Sequence, residues 1–310
     1  MATMTETPDV TTKQQNDYPY HEYHADAHVL SGRLQRPVEQ EIEQHAPVSL
    51  KGRRSGHLTR ITEDVSIEGL ITFEKGHTRV SGSKSLKPGH GWVTLSTSIL
   101  EGLNVFEIIT ADRLVSQVST EHPIENGHFP HVTFLGSQFD NLRVSGVTVN
   151  LTLNFGICGK KPNGDQSYLD DLMFLNTVKE QTEKITGDDS LPKDVKHQYD
   201  ERLEAIKKLI SNGGSKERHE PSVICSIVTS IDKSIEKAIP GVKAIGHVLV
   251  IPDFGIVSLG EVKVGEKKYE PSDERPSNYF ELTIIKMKLG CVGTGTVNAG
   301  TTAANGTHKP

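Results

Sequence analysis

A chain of 310 residues with 35% hydrophobic content is long enough for one large domain or two modest ones, with a real core and much loop. Its net charge is −6 and its densest basic run is "KGRR" at 51–54, so duplex nucleic acid is not an expected partner. No stretch approaches about 18 consecutive apolar residues, which argues against a membrane span.

Residues 1–17 are rich in Thr, Gln, Asp and Pro without periodicity and read as a disordered tail. They lack the basic start and apolar middle of a secretory signal, so the expected location is cytoplasmic. A single β-rich domain is expected over 18–292. "HVLSGRLQ" at 28–35 places His28, Leu30, Gly32 and Leu34 on one strand parity. Pro37 and "EQEIEQ" mark a break or an exposed edge. "HLTRITEDVSIEGLITFEKG" and "TRVSG" carry strand residues, with Gly69, Gly76 and Gly82 as bulges or turns. The segment 91–123 is the strongest β region, two runs flanking a Gly-Leu-Asn kink. In "LRVSGVTVNLTLN", Val147, Val149, Leu151 and Leu153 share one parity and are expected to form the buried face of one strand.

The period then changes. Leu169, Leu172, Met173 and Val178 have roughly helical spacing, with Gly187 as a stop. Val195, Tyr199, Leu203, Ile206 and Ile210 form an apolar helical stripe ending at Gly213–Gly214. The pattern predicts a helical hairpin over 166–212 inserted in a β protein, with Leu203 and Ile206 inward and Glu204 and Lys207 in water. Strand character returns at 222–231, 244–265 and 279–291. The Gly/Thr/Ala/Asn-rich residues 293–310 are expected to be a flexible tail. The fold class is therefore mainly β: an antiparallel sandwich or barrel-like body with an inserted α-helical hairpin.

"EGLNVFEIITADRLVSQVSTEHP" followed by "VTFLGSQFDNLRVSG" resembles segments of uncharacterised bacterial β-rich proteins, some of the secreted choice-of-anchor type. The resemblance covers roughly 95–155. It implies a sandwich-like body and brings no activity.

Three constellations could carry chemistry. In "HEYHADAH" the strand geometry puts His24, Asp26 and His28 on one face, about 7 Å apart in steps. His24 and His28 would then be about 13 Å apart, too far to share one ion. The loop "GSKSLKPGHGW" offers Lys84, His90 and Trp92 for a small anionic or carbonyl ligand. Around "ITADRL…STEHPIENGHFPH", Asp112 and His122 are ten apart and would share a face of a regular strand. Glu121 and His122 are adjacent and would point oppositely.

The leading expectation is a binding or structural protein that holds a small molecule or a protein partner, with ligand contacts from Lys84, Trp92, Asp112 and Arg113. The alternative is a cofactor-independent or metal-assisted enzyme using His90, Glu121 and His122 for acid–base chemistry. A divalent transition metal is the candidate cofactor, with His122, His131, His24 and His28 as candidate ligands. A homo-oligomer is compatible with either. The three cysteines, Cys158, Cys225 and Cys291, are expected to be buried free thiols, a Cys225–Cys291 bridge being the other option.

Overall fold

The computed structural model describes residues 20–125, 128–164, 166–213, 220–268, 276–290 and 293–309. The expected tail 1–17, Cys291 and Gly214 lie outside these residues. The chain opens with β1 (Tyr20–Arg36), β2 (Gln40–Ile42) and β3 (Val48–Gly52). Four long strands follow in hairpin order: β4 (Gly56–Ile67), β5 (Ile71–Lys84), β6 (Trp92–Val105) and β7 (Ile109–His122). Then come the short β8 (His131–Thr133), β9 (Gln138–Asp140), β10 (Arg143–Val144), β11 (Val147–Thr148) and β12 (Leu151–Leu153). The helices α1 (Leu172–Thr186) and α2 (Lys193–Ser211) interrupt the β run. It resumes with β13 (Ser222–Ser226) and β14 (Val228–Ile231), passes the short α3 (Ser234–Ala238), and continues through β15 (Lys243–Ile245) and β16 (Val248–Ile251). The last strands are β17 (Gly255–Lys267), β18 (Ser277–Leu289) and β19 (Thr294–Lys309).

Two antiparallel sheets form a sandwich, not a closed barrel. The first has the order β15-β16-β17-β18-β19-β1-β2, with β13 also on β17 and β3 on β1. The second runs β11-β10-β7-β6-β5-β4, with β8 and β9 on β7, while β12 and β14 form a separate pair. Strands β1, β18 and β19 lie across β5, β6 and β7. Among the described residues, no helix is long and apolar enough to cross a membrane.

β19 overturns the expected loose C-terminus. It is bonded to β1 on one side and to β18 on the other, at the middle of the first sheet. Its small residues are what that position needs, because Val297, Ala299 and Ala304 are buried where a second sheet approaches. The interface is correspondingly polar at its centre. Ser96 and Ser98 of β6 donate to the carbonyls of Asp26 (2.7 Å) and His28 (3.0 Å) on the opposite sheet. Ser116 donates to the Leu282 carbonyl (3.2 Å), which leaves Thr302 as the donor in their hydroxyl–hydroxyl contact of 2.6 Å. Short hydroxyls let the sheets come close and satisfy themselves across the gap.

Each sheet also carries a transverse row where the inward parity inverts. In β6 the buried residues are Trp92, Thr94, Ser96, Ser98 and Leu100, then Leu103 and Val105. β7 changes opposite it, from Ser116 and Leu114 to Ala111 and Ile109. Gly102 sits at the row with φ +66. In the first sheet the same happens at Gly300 (φ +62) and Gly260 (φ +59), where β18 passes from Ile284 to Ile285. A left-handed residue turns the next peptide over and moves the following side chains to the other face. Two expectations fail at these rows. Asp112 is exposed while His122 is buried, and His28 does not share the inward face of Leu30 and Leu34.

Other local readings are corrected as well. The reversal after β6 is made by Phe106 and Glu107, both with positive φ, not by the Gly-Leu-Asn kink. "LRVSGVTVNLTLN" is not one strand, because Ser145 (φ 47) and Gly146 (φ 80) close a two-residue hairpin between β10 and β11. Gly82 is inside a strand, not at a turn, and its missing side chain makes room for the Tyr23 ring.

The helical hairpin is present. Asp171 caps α1 by accepting from the Met173 backbone, and Gly187 ends it. Leu172 and Met173 are exposed, since they fall on the outer side of the first turn. α2 buries Val195, Tyr199, Leu203, Ile206 and Leu209, with Glu204 and Lys207 paired in water at 2.9 Å. Ile185, Leu191, Val195 and Tyr199 pack with Ile245 and Val248 at the β15–β16 end of the first sheet. Phe174, Val178 and Ile206 join the main core.

Candidate functional site

The loop 85–91 joins β5 to β6 and folds back on itself. The Ser85 amide donates to the Gly91 carbonyl (2.7 Å) and the His90 amide to the Lys87 carbonyl (3.2 Å). The register pairs Lys84 with Trp92, Trp92 with His122, Val93 with Glu121 and Glu121 with His131. Gly91 is needed here, since a Cβ would stand 2.0 Å from the His122 carbonyl oxygen. The close approach swings His90 over the end of β7. Its Nδ1 is in hydrogen-bond contact with Glu121 Oε1, both side chains being partly exposed. Lys84 Nζ lies 5.5 Å from the centre of the Trp92 ring, a cation–π contact. Leu86 at the loop tip is fully exposed.

Behind this rim the interior is aromatic. The His21 ring stacks on Trp92 at 5.5 Å and 11°, and lies 4.6 Å from His122 and 4.8 Å from Tyr23. His21 and His122 are both buried. The Thr94–Thr120 pair sits next to them on the same buried face.

The nominated residues therefore divide. Two pairs lie at the same strand ends: Lys84 over Trp92 on the inward parity, and His90 against Glu121 on the outward face. His122 does not join the acid–base pair, because it faces the interior while Glu121 faces out. Asp112 and Arg113 are at the far end of β7. There Asp112 accepts from Asn141 (2.6 Å), and Arg113 pairs with Glu101 (3.7 Å), Asp140 (3.9 Å) and Gln138 (3.1 Å). They belong to a polar strand-end network apart from Lys84 and Trp92.

The metal set is also scattered. His24 and His28 are on the outward parity of β1, His122 is interior, and His131 is exposed on β8. Burial lowers the pKa of His24 and His28, and His28 contacts the Ser31 hydroxyl at 2.9 Å. Among the described residues, no three His, Cys, Asp or Glu side chains are gathered in metal-ligating geometry.

A second polar cluster, missed from sequence, lies under α2. Arg202 bonds Glu261 at 3.2 Å, Lys286 bonds it at 3.3 Å, and the Tyr199 hydroxyl lies 3.3 Å from His247 Nε2. Burial pulls the His247 pKa down to about 4 and pushes Tyr199 up to about 12. Burial alone would raise the Glu261 carboxyl, but Arg202 and Lys286 hold it below its usual value. The available signal was Arg202, a charged residue three positions after Tyr199 beside the apolar stripe. The cluster fastens the hairpin to β17. Elsewhere, a cavity of about 270 Å³ is lined by Phe139, Asn141, Leu142, Thr148, Val149, Asn150, Leu151 and Leu153, none of them titratable.

Cys158 and Cys225 are free and buried, and the two thiols contact each other. Burial, reinforced by that contact, pushes the Cys158 thiol well above its ordinary value.

No curated protein and no solved structure matches the chain. One family model does, over residues 21–265, from the buried His21 of β1 to Gly265 of β17. That span includes the rim, the aromatic interior and the helical hairpin. The chain belongs to the family described as Domain of unknown function (DUF8256).

Proposed function

We propose that this protein is a binding module that receives a small ligand or a protein partner at the rim formed by Lys84, His90 and Glu121, beside the exposed Leu86. The observation that carries the reading is convergence. The β5–β6 loop and the end of β7 bring to one edge of the sheet a cation over the chain's single tryptophan, an imidazole against a carboxylate, and a fully exposed apolar side chain. Polar groups of both charges beside an apolar anchor are the composition of a recognition site. The net charge of −6 argues against duplex nucleic acid as the partner. The contact between two free thiols suits a reducing cytoplasm.

A second reading, an enzyme using His90 and Glu121 as a proton-transfer pair, is favoured by their direct contact alone. Titrating organic acids, sugars and nucleotides while following Trp92 emission tests both. The binding reading expects a saturable change that His90→Ala and Leu86→Ala weaken. Binding that neither variant alters overturns it, and turnover of a bound compound that Glu121→Gln abolishes favours the enzyme.

A further inference from the structure

The cavity near the far end of β7 is built by chain that the rim does not use. β9 pairs with β7 at Arg113–Val115 and β10 pairs with it at Ile109–Thr110, the opposite end of that strand from Glu121. The Val149 amide donates to the Leu142 carbonyl (2.8 Å), and the Asp232 amide to the Asn150 carbonyl (2.9 Å). β12 is held in turn by β14. Backbone bonds therefore fix the walls, and the hollow of about 270 Å³ is largely pre-formed. Its lining is of two kinds. Leu142 and Val149 are buried, while Phe139, Leu151 and Leu153 pack on the main core and stay half-buried. Asn141, Thr148 and Asn150 are exposed and bring only neutral donors and acceptors. Asn141 donates through Nδ2 to Asp112 (2.6 Å), which leaves its Oδ1 as an acceptor. Among the described residues, none that lines the hollow is charged.

We propose that this hollow binds one ring of a neutral saccharide. A sugar ring presents a C–H face to apolar and aromatic walls and hydroxyls around its edge. Five apolar side chains and three neutral polar ones supply both kinds of contact. An ionised ligand would give up its hydration to walls that hold no opposite charge, which disfavours organic acids, amines and phosphates. A purely apolar ligand would cover the amides of Asn141 and Asn150 without pairing them. The volume, about 270 Å³, lies just below the ~300–1,000 Å³ usual for drug-sized ligands, so a single ring suits it better than a longer chain. Phe139 is the one aromatic wall for the ring face, and Asn150 and Thr148 are the hydrogen-bonding partners for hydroxyls. The site is separate from the rim of Lys84, His90 and Glu121, and it goes beyond that reading.

The test is saturation-transfer NMR and calorimetry of the full chain. The probes are the methyl glycosides of glucose, galactose and mannose together with N-acetylglucosamine, set against glucuronate and glucosamine as charged counterparts. At least one neutral sugar is expected to bind with a dissociation constant on the order of 1 mM, the range for a ligand of about a dozen heavy atoms. The charged counterparts are expected to bind at least about tenfold more weakly. Thr148→Trp, which fills the hollow from an exposed position, is expected to abolish binding, and Asn150→Ala to weaken it about fivefold. Melting curves establish that the variants are folded. Absence of binding by all four neutral sugars, unaltered affinity in both Thr148→Trp and Asn150→Ala, or equal binding of glucuronate overturns the proposal. Sugar binding that His90→Ala removes and Thr148→Trp leaves intact belongs to the rim, and overturns it too. The rim reading is scored separately, by whether Leu86→Ala and His90→Ala alter the binding of organic acids and nucleotides.

Discussion

Acidification should loosen the helical hairpin through one residue, His247. Its imidazole is buried beneath α2 against Tyr199, with a pKa near 4 in the folded chain. An unfolded chain returns it to about 6.5. Between those values the unfolded state binds more protons, so stability is full above about 6.5 and is lost as pH falls toward 4. At pH 5 the linkage amounts to about 2 kcal/mol, and the full shift to about 3 kcal/mol. His24, His28 and His45 are also lowered by burial and act with the same sign, so a difference experiment is required. Urea unfolding of wild type and His247→Gln at pH 7.5 and pH 5.0, followed by circular dichroism, isolates the term. Wild type should lose about 2 kcal/mol more than the variant on going to pH 5. Equal losses in the two proteins would refute the assignment of a neutral, desolvated imidazole to this position.

Further outcomes follow from packing. Ile206→Ala should cost about 2–5 kcal/mol in the same unfolding assay, since Ile206 is in the main core, whereas Lys207→Ala should cost less than about 0.5. Gly82→Ala should destabilise by about 1–3 kcal/mol, because the added Cβ stands 2.4 Å from the Tyr23 ring. Ser96→Ala should cost about 1 kcal/mol through loss of its bond to the Asp26 carbonyl. A thiol reagent should leave Cys158 and Cys225 unlabelled in the native protein and label both once urea unfolds it. Rapid native labelling of either would show that the thiols are not enclosed.

What the sequence makes legible is local. The period change at 166–212 identifies the helices, and the stripe from Val195 to Ile206 identifies their buried face. The rim is half legible. The loop glycines announce a tight connection between Lys84 and Trp92, and the contact of His90 with Glu121 follows from that hairpin folding onto β7. The misreadings come from non-local causes. β19 looks like a tail because Gly, Thr, Ala and Asn carry no hydrophobic signal. They belong in the centre only because two neighbouring strands and a close second sheet already fill the space. In "WVTLSTSIL" the apolar Val93, Leu95 and Ile99 are only half-buried, while Thr94, Ser96 and Ser98 are enclosed. The hydroxyls of Ser96 and Ser98 find partners on a strand some 70 positions away. The grouping of Asp112 with His122 fails because counting by two assumes an unbroken parity, which in β7 inverts between Leu114 and Ala111.

The pairing of β1 with β19 has a consequence for the order of events at the ribosome. Residue 28 finds its partner only when residue 301 has emerged. At ordinary synthesis rates that wait is on the order of tens of seconds. The meander β4–β7 can close its hairpins long before, since each needs only its neighbour. Its waiting face is then open to every other nascent chain. An aliphatic surface of that size would invite aggregation. That face does carry the aliphatic Leu100, Leu103 and Leu114, but its middle is a track of threonine and serine hydroxyls from Thr94 to Ser98, with Ser116 and Thr120 beside it. Water can wet that track until the first sheet arrives to replace it.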